Sequence, residues 1–255
     1  MKLDRSNRFE DFFADDAYVV LKNFLYNYLL RKRAVKKCMQ RQEKGLILEV
    51  GSGLSPMVTD SDGVVYSELS FTALKSLQKI QARGFFVAAD AAHLPFKTGS
   101  FTQVVCSEVL EHLPEDRPAL REMAEVLKKG GSMILTFPHR QDYFACDDRF
   151  VGHFRRYELR EMEERLKEVE LNLAEIRKVL GPLEKLTMVF VVSAVSFLQR
   201  LRGGKSDSRE KAATWRIIAP LFKWCNHLYG VPVWLDARLF PRSLAAVLLI
   251  RAVKL

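Results

Sequence analysis

Short apolar runs alternate with amphipathic periods over most of the chain. Leu46-Ile47-Leu48-Glu49-Val50, Val64-Val65-Tyr66, Phe85-Phe86-Val87-Ala88, Val104-Val105-Cys106 and Met133-Ile134-Leu135-Thr136-Phe137 each read as a buried strand. Helical periods separate them, from Phe71 to Ala82 behind a Ser70 cap and from Pro118 to Lys128, ended by Gly130-Gly131. Strands alternating with helices predict an α/β fold with a parallel sheet covered on both faces. Farther on, Leu159, Met162, Leu166 and Val169 share one helical face, Leu171 to Val179 reads as a strand, and Leu244 to Arg251 as one more. Between these two strands, Gly181-Pro182 opens an apolar helix to about Leu201, and Gly203-Gly204-Lys205-Ser206 makes a loop. A second helix there carries Trp215, Ile218, Leu221, Phe222, Cys225 and Leu228. At the start of the chain Tyr18, Leu21, Leu25, Tyr28 and Leu29 recur at helical spacing ahead of Arg31-Lys32-Arg33 and Lys36-Lys37. The expected organisation is a basic helical extension over 1–44, a core of 45–180 and 241–255, and a helical insertion over 181–240.

Composition sharpens this division. With 255 residues, 48% hydrophobic and 28% charged, the chain can bury a sizeable core, which excludes disorder for most of its length. The net charge of +9 is uneven: residues 1–44 carry 11 Lys+Arg against 6 Asp+Glu, residues 45–180 carry 17 against 21, and residues 181–255 carry 12 against 4. Basic flanks around an acidic centre predict that the flanks meet an anionic surface while the centre does something else. Cys38, Cys106, Cys146 and Cys225 have no paired spacing, so neither a disulfide framework nor a metal site is expected. The charged opening Met1-Lys2-Leu3-Asp4-Arg5 predicts no secretory leader and hence a cytoplasmic location. The longest apolar run, Leu186 to Leu198, is broken by Thr187, Ser193 and Ser196 and falls short of the roughly 20 residues of a spanning helix.

The sharpest chemical signal is Glu49-Val50-Gly51-Ser52-Gly53 at the end of the first strand. Glycines there let the backbone turn tightly and approach a ligand at the edge where open α/β sheets bind one. Three residues after Gly53 stands Pro56, not the Gly or Ala of a dinucleotide cradle. Ser55-Pro56 reads as a helix cap followed by proline at the first helical position. Glu68, ending the second strand, offers only acceptors, which suits two vicinal ribose hydroxyls. Asp90, ending the third, is placed to accept from an adenine amino group.

In this order, Glu49-Val50-Gly51-Ser52-Gly53, Glu68, Asp90-Ala91-Ala92-His93-Leu94-Pro95-Phe96 and Val109-Leu110-Glu111-His112-Leu113 resemble the class I S-adenosylmethionine-dependent methyltransferases. The resemblance lies with their small-molecule branch, methyltransferase type 11, typified by ubiquinone-biosynthesis enzymes, and covers about residues 45–180 and the final strand. It implies a Rossmann-like seven-stranded sheet, mostly parallel with an antiparallel last strand. It also implies S-adenosyl-L-methionine as cofactor, bound by Glu49, Gly51, Ser52, Gly53, Glu68, Leu69, Asp90, Ala91, Glu108 and Val109: Gly51 and Gly53 would pass under the methionine part, Glu68 would bind ribose, Asp90 with Ala91 adenine, and Glu108 and Val109 would border the methionine and the substrate. The chain departs from the pattern at Ser55, at Thr102 and in its short first crossover, Gly51 to Asp62. Twelve residues leave room for a helical turn or two after the cofactor loop.

Methyl transfer by in-line displacement needs orientation and desolvation, and a base only where the acceptor must lose a proton. His139 and His153 are the candidate bases, and His112 is a candidate on the acceptor side whose alternative is a structural role at a helix start. In Gly152-His153-Phe154-Arg155-Arg156-Tyr157, Arg155, Arg156 and Tyr157 suit a phosphate or carboxylate on the acceptor. The alternative is pairing within the protein to Asp147, Asp148 or Glu158. All the tryptophans, Trp215, Trp224 and Trp234, fall in the helical insertion, so that segment reads as a contact with an anionic membrane surface, a lid or a dimer interface. Nucleic acid is disfavoured, because no recognition module accompanies the basic residues. The expected function is methyl transfer to a small-molecule or lipid-like acceptor; the alternative is a non-catalytic membrane or protein adaptor that keeps the fold. A nicotinamide-dependent oxidoreductase is opposed by Pro56 and by Glu49 before the glycines.

Overall fold

The computed structural model describes residues 23–39, 45–202 and 208–255. Seven strands form one sheet: β1 (Ile47–Val50), β2 (Val64–Glu68), β3 (Phe85–Ala88), β4 (Phe101–Ser107), β5 (Leu127–Pro138), β6 (Leu171–Leu180) and β7 (Val247–Lys254). Their spatial order is β3-β2-β1-β4-β5-β7-β6. The pairs from β3 to β5 are parallel, while β7 runs antiparallel between β5 and β6. This is the seven-stranded, mostly parallel sheet expected. The strand order reverses between β1 and β4, and such a reversal opens a crevice beyond the strands' C-terminal ends.

Alternation along the strands sorts the core into two layers. Leu48, Val104, Met133, Leu135 and Ile250 face helices α3 (Arg117–Val126) and α5 (Leu159–Lys167), where Leu120, Met123, Met162 and Leu166 meet them. Ile47, Val64, Val105, Ile134 and Leu249 face the other way, onto α1 (Tyr26–Met39) and α2 (Phe71–Ile80). The Ser70 cap holds as expected, its hydroxyl accepting from Ala73 N–H at 3.2 Å. In α1 the buried face is Tyr28, Val35 and Cys38, whereas Leu29 is exposed. Tyr18 and Leu21 of the expected stripe lie outside the described residues.

Three expectations are corrected. Residues 51–63 contain no helix after the glycine turn. Side chains from elsewhere bind the backbone there: Glu49 accepts from Met57 N–H (2.6 Å) and Val58 N–H (3.0 Å), and the hydroxyls of Tyr28 and Tyr66 donate to the carbonyls of Pro56 and Val58. With those groups satisfied, a crossover this short needs no helical hydrogen bonds. Gly130-Gly131 does not end α3, which stops at Val126; Leu127 already pairs with Phe101 and opens β5. The last strand starts at Val247, since Pro241 leads into a 3-10 turn over Arg242–Leu244 and Ala246 N–H donates to Leu180 O.

Between β6 and β7 stand α6 (Pro182–Arg202) and α7 (Ser208–Leu239), preceded in the chain by the short α4 (Cys146–Val151). Helix α1 packs beside α7, with the rings of Tyr26 and Tyr229 edge to face at 5.0 Å. Gly203, Gly204, Lys205 and Ser206, the expected loop, lie outside the described residues. Among the described residues no helix is long and apolar enough to cross a membrane.

Candidate active site

The turn after β1 is built by two glycines at positive φ, +69° at Gly51 and +53° at Gly53. At Gly51 the lack of a side chain is required twice over, because a Cβ there would lie 2.4 Å from Val109 Cγ2. The turn is tied to β2 through Gly51 and Ser52 N–H groups, both donating to Ser67 O. Glu68 completes it: Oε2 accepts from Gly53 N–H at 2.9 Å and Oε1 from Ser70 N–H at 3.0 Å. Each carboxylate oxygen has two lone pairs, so Glu68 retains acceptor capacity. Around the turn the buried hydroxyls of Ser52, Ser55 and Ser67 have no protein partner. Such unmatched polar atoms fit a polar group that occupies the turn.

Glu49, beneath the loop, is fully buried, and burial pushes its carboxyl up to about 7 against the opposing backbone N–H groups of Met57 and Val58. Asp90 stands at the end of β3, half exposed, with Oδ1 accepting from Ala92 N–H at 2.9 Å. Ala91 beside it packs partly against the core, while Leu69 is exposed.

Across the crevice, Glu108 follows β4 in the left-handed region at φ 55°. Its Oε2 lies 3.5 Å from Arg31 Nη1 of α1, and its Oε1 is buried without a partner. Glu111 is wholly buried and neither oxygen has a hydrogen bond; burial, then the charge of Glu108, holds its carboxyl well above the usual range. The rings of His112 and His153 meet edge to face at 4.7 Å, and Glu111, His112 and His153 bring ligand-type atoms within 4.8 Å.

At the end of β5, His139 is buried and its Nδ1 donates to Ala245 O at 3.0 Å. Burial lowers its pKa, so the imidazole favours its neutral form; Nε2 faces Glu158 Oε2 at 3.8 Å. His153 Nδ1 meets Asp148 Oδ1 at 2.9 Å. Asp148 also receives Arg156 Nε (2.8 Å), Lys185 Nζ (2.8 Å) and Ala145 N–H (3.0 Å). Burial would raise the Asp148 carboxyl, but His153, Arg156 and Lys185 outweigh it and hold it well below the usual range. Arg156 donates further to the carbonyls of His139 and Ala246, so its guanidinium is directed inward. Tyr157 is fully buried and donates to Asp116 Oδ2 at 2.6 Å, where Arg155 and Arg165 also converge.

The fold therefore gathers Glu49, Gly51, Ser52, Gly53 and Glu68 on one side of the crevice and Glu108 and Val109 on the other. His112 and His153 adjoin Glu111, whereas His139 occupies the next strand end. Arg155, Arg156 and Tyr157 have partners within the protein at Asp116, Asp147 and Asp148. Sequence reasoning did not single out Arg31, Glu111, Asp116 or Lys185. For Lys185 a signal exists, a lone ammonium at the start of an apolar helix that needs a buried acid such as Asp147.

Residues 48–135 match the family described as methyltransferase domain. A demethylmenaquinone methyltransferase of Paenarthrobacter aurescens is 35% identical over 100 residues, 38% of this chain and 40% of that protein. An uncharacterized methyltransferase of Bacillus subtilis is 30% identical over 127 residues, 43% of this chain and 47% of that protein. The chain thus matches less than half the length of these curated relatives. In three dimensions, a Thermotoga maritima S-adenosylmethionine-dependent methyltransferase, described as a possible histamine N-methyltransferase, superposes with TM-score 0.60 at 15% identity, covering 98% of this chain and 97% of that one. Phosphoethanolamine N-methyltransferase 2 of Haemonchus contortus, solved with S-adenosylhomocysteine, gives 0.63 at 14% identity, over 100% of this chain and 61% of that one. At such identities the likeness is one of fold. Residues 48–135 thus match the methyltransferase domain model, and the sheet to which they contribute continues to Lys254.

Proposed function

We propose that the protein is an S-adenosylmethionine-dependent methyltransferase acting on a small-molecule or lipid-like acceptor. The observation that carries this reading is the Gly51-Ser52-Gly53 turn bound to Glu68 at the reversal of strand order, with unmatched polar atoms at Ser52, Ser55 and Ser67. When bound, the cofactor supplies a sulfonium methyl already activated toward a nucleophile. The turn and Ser52 would hold its amino-acid part, Glu68 its ribose, and Asp90 with Ala91 its base. Glu108 and Val109 would border it on the acceptor side, where Arg31 lies 3.5 Å from Glu108. His139 is the candidate proton acceptor, because its Nδ1 donates to Ala245 O and so leaves the lone pair on Nε2. His153 is committed to Asp148, and Arg156 and Tyr157 are committed to Asp148 and Asp116. The quinone-ring acceptor implied by the name of the Paenarthrobacter relative supports the small-molecule class.

Calorimetry tests the reading. The protein is expected to bind S-adenosylmethionine and its demethylated product but not NADH, and Glu68→Ala is expected to weaken binding by about tenfold or more, the worth of one charge-assisted hydrogen bond. No binding of either sulfur nucleoside at millimolar concentration would leave the non-catalytic adaptor in its place.

A further inference from the structure

The α6–α7 hairpin turns an apolar face to solvent. On α7 the exposed residues Leu221, Trp224, Leu228, Val231, Leu235 and Leu239 recur at intervals of three and four, a single stripe along one side of the helix. Leu186, Phe190 and Phe197 of α6 are exposed in the same manner, Phe190 at 75%. Helices that merely pack on a domain do the reverse and turn such residues inward. Charge is distributed to match. The acidic side chains of this hairpin whose surroundings are described, Glu184 and Asp236, are both buried, accepting from Asn27 and from Leu183 N–H. Basic groups flank the stripe: Arg238 lies 3.4 Å over the Trp234 ring, Lys223 lies 3.8 Å over Phe24, and Arg242 is exposed. At the sequence joining the helices, residues 200–216 hold six Lys and Arg against Asp207 and Glu210.

We propose that this hairpin docks on an anionic lipid bilayer, lying in the headgroup region with the stripe turned into the acyl boundary. The partner follows from the charge. A second copy of the same face would set like charges together, since the hairpin sequence 182–239, apart from the buried Lys185, carries eight basic residues against Asp207 and Glu210 and the two buried acids Glu184 and Asp236. An anionic membrane surface instead complements them, while tryptophan and arginine suit the headgroup zone. No described helix is long and apolar enough to cross a membrane, and the stripe, on one side of α7 only, suits a helix lying in the headgroup region. This surface is independent of the methyl-transfer reading, because it involves none of the residues at the crevice.

The test is flotation of the full chain with vesicles of phosphatidylcholine containing about 30% phosphatidylglycerol, against phosphatidylcholine alone. The protein is expected to float with the anionic vesicles, and less with the neutral ones. The double variant Trp224→Glu/Leu228→Glu, at exposed positions, is expected to keep the wild-type melting temperature and to lose binding by about tenfold or more. No flotation with anionic vesicles would overturn the proposal, as would a double variant that floats like wild type. A wild-type dimer that the double variant dissociates, without flotation of either, would overturn it in favour of a contact between copies.

Discussion

Gly51→Ala tests the geometry of the crevice without any ligand. Two independent costs arise. The residue sits at φ +69°, where an alanine costs about 1–2 kcal/mol relative to glycine. Its new methyl would lie 2.4 Å from Val109 Cγ2, an overpacking worth about 1–3 kcal/mol. Val109 is β-branched and stiff at χ1, so it yields little by rotation. The sum is a loss of about 2–5 kcal/mol. Val109→Ala removes the obstructing methyls and leaves only the backbone term, so in that background Gly51→Ala should cost about 1–2 kcal/mol. Urea denaturation of the four proteins of this double-mutant cycle measures both terms. A Gly51→Ala variant within about 0.5 kcal/mol of wild type, or an equal cost in both backgrounds, would show that the glycine is not held against the end of β4.

Two further predictions concern pH and the buried charges. Glu49 has a folded pKa raised from 4.5 to about 7, so the stability it confers is full below about 4.5 and is lost as pH rises through 7, an effect of about 3 kcal/mol. In Glu49→Gln, denaturation midpoints between these pH values should change correspondingly less, and an identical slope would refute the assignment. Asp148 has a folded pKa below the ordinary one, so its stabilisation is present above the usual carboxylate range and lost as pH falls. Asp148→Asn deprives Arg156 and Lys185 of a buried counter-charge and should cost about 3–5 kcal/mol near neutral pH, with a shallower acid limb in thermal melts. A variant as stable as wild type would mean that Asp147 alone suffices.

The sheet was legible because strands buried on both faces read as continuous apolar runs, as in Val64-Val65-Tyr66, and the run Phe85–Ala88 marks β3 even though that edge strand is only partly buried. The glycine turn was legible because few other structures require two glycines there. The crossover after it was not, since Tyr28, Glu49 and Tyr66, which bind its backbone, lie outside the segment they hold. The fates of Arg155, Arg156 and Tyr157 were equally hidden: Asp116 is 41 residues from the tyrosine it receives, and nothing local selects between an internal partner and an external one. The same holds for Arg31 and Glu108, joined only by tertiary packing.

The antiparallel strand β7 fixes where this molecule can be divided. The matched segment, 48–135, ends within β5, whose free side is covered along seven residue pairs from Ser132 to Pro138 by a strand more than a hundred residues later. A fragment cut at the limits of the match would expose that side as a flat apolar edge open to other chains. It would also leave the crossover without Tyr28. The region most easily recognised by sequence is thus not a self-sufficient module, and any transplant or truncation must carry α1 and the last strand with it.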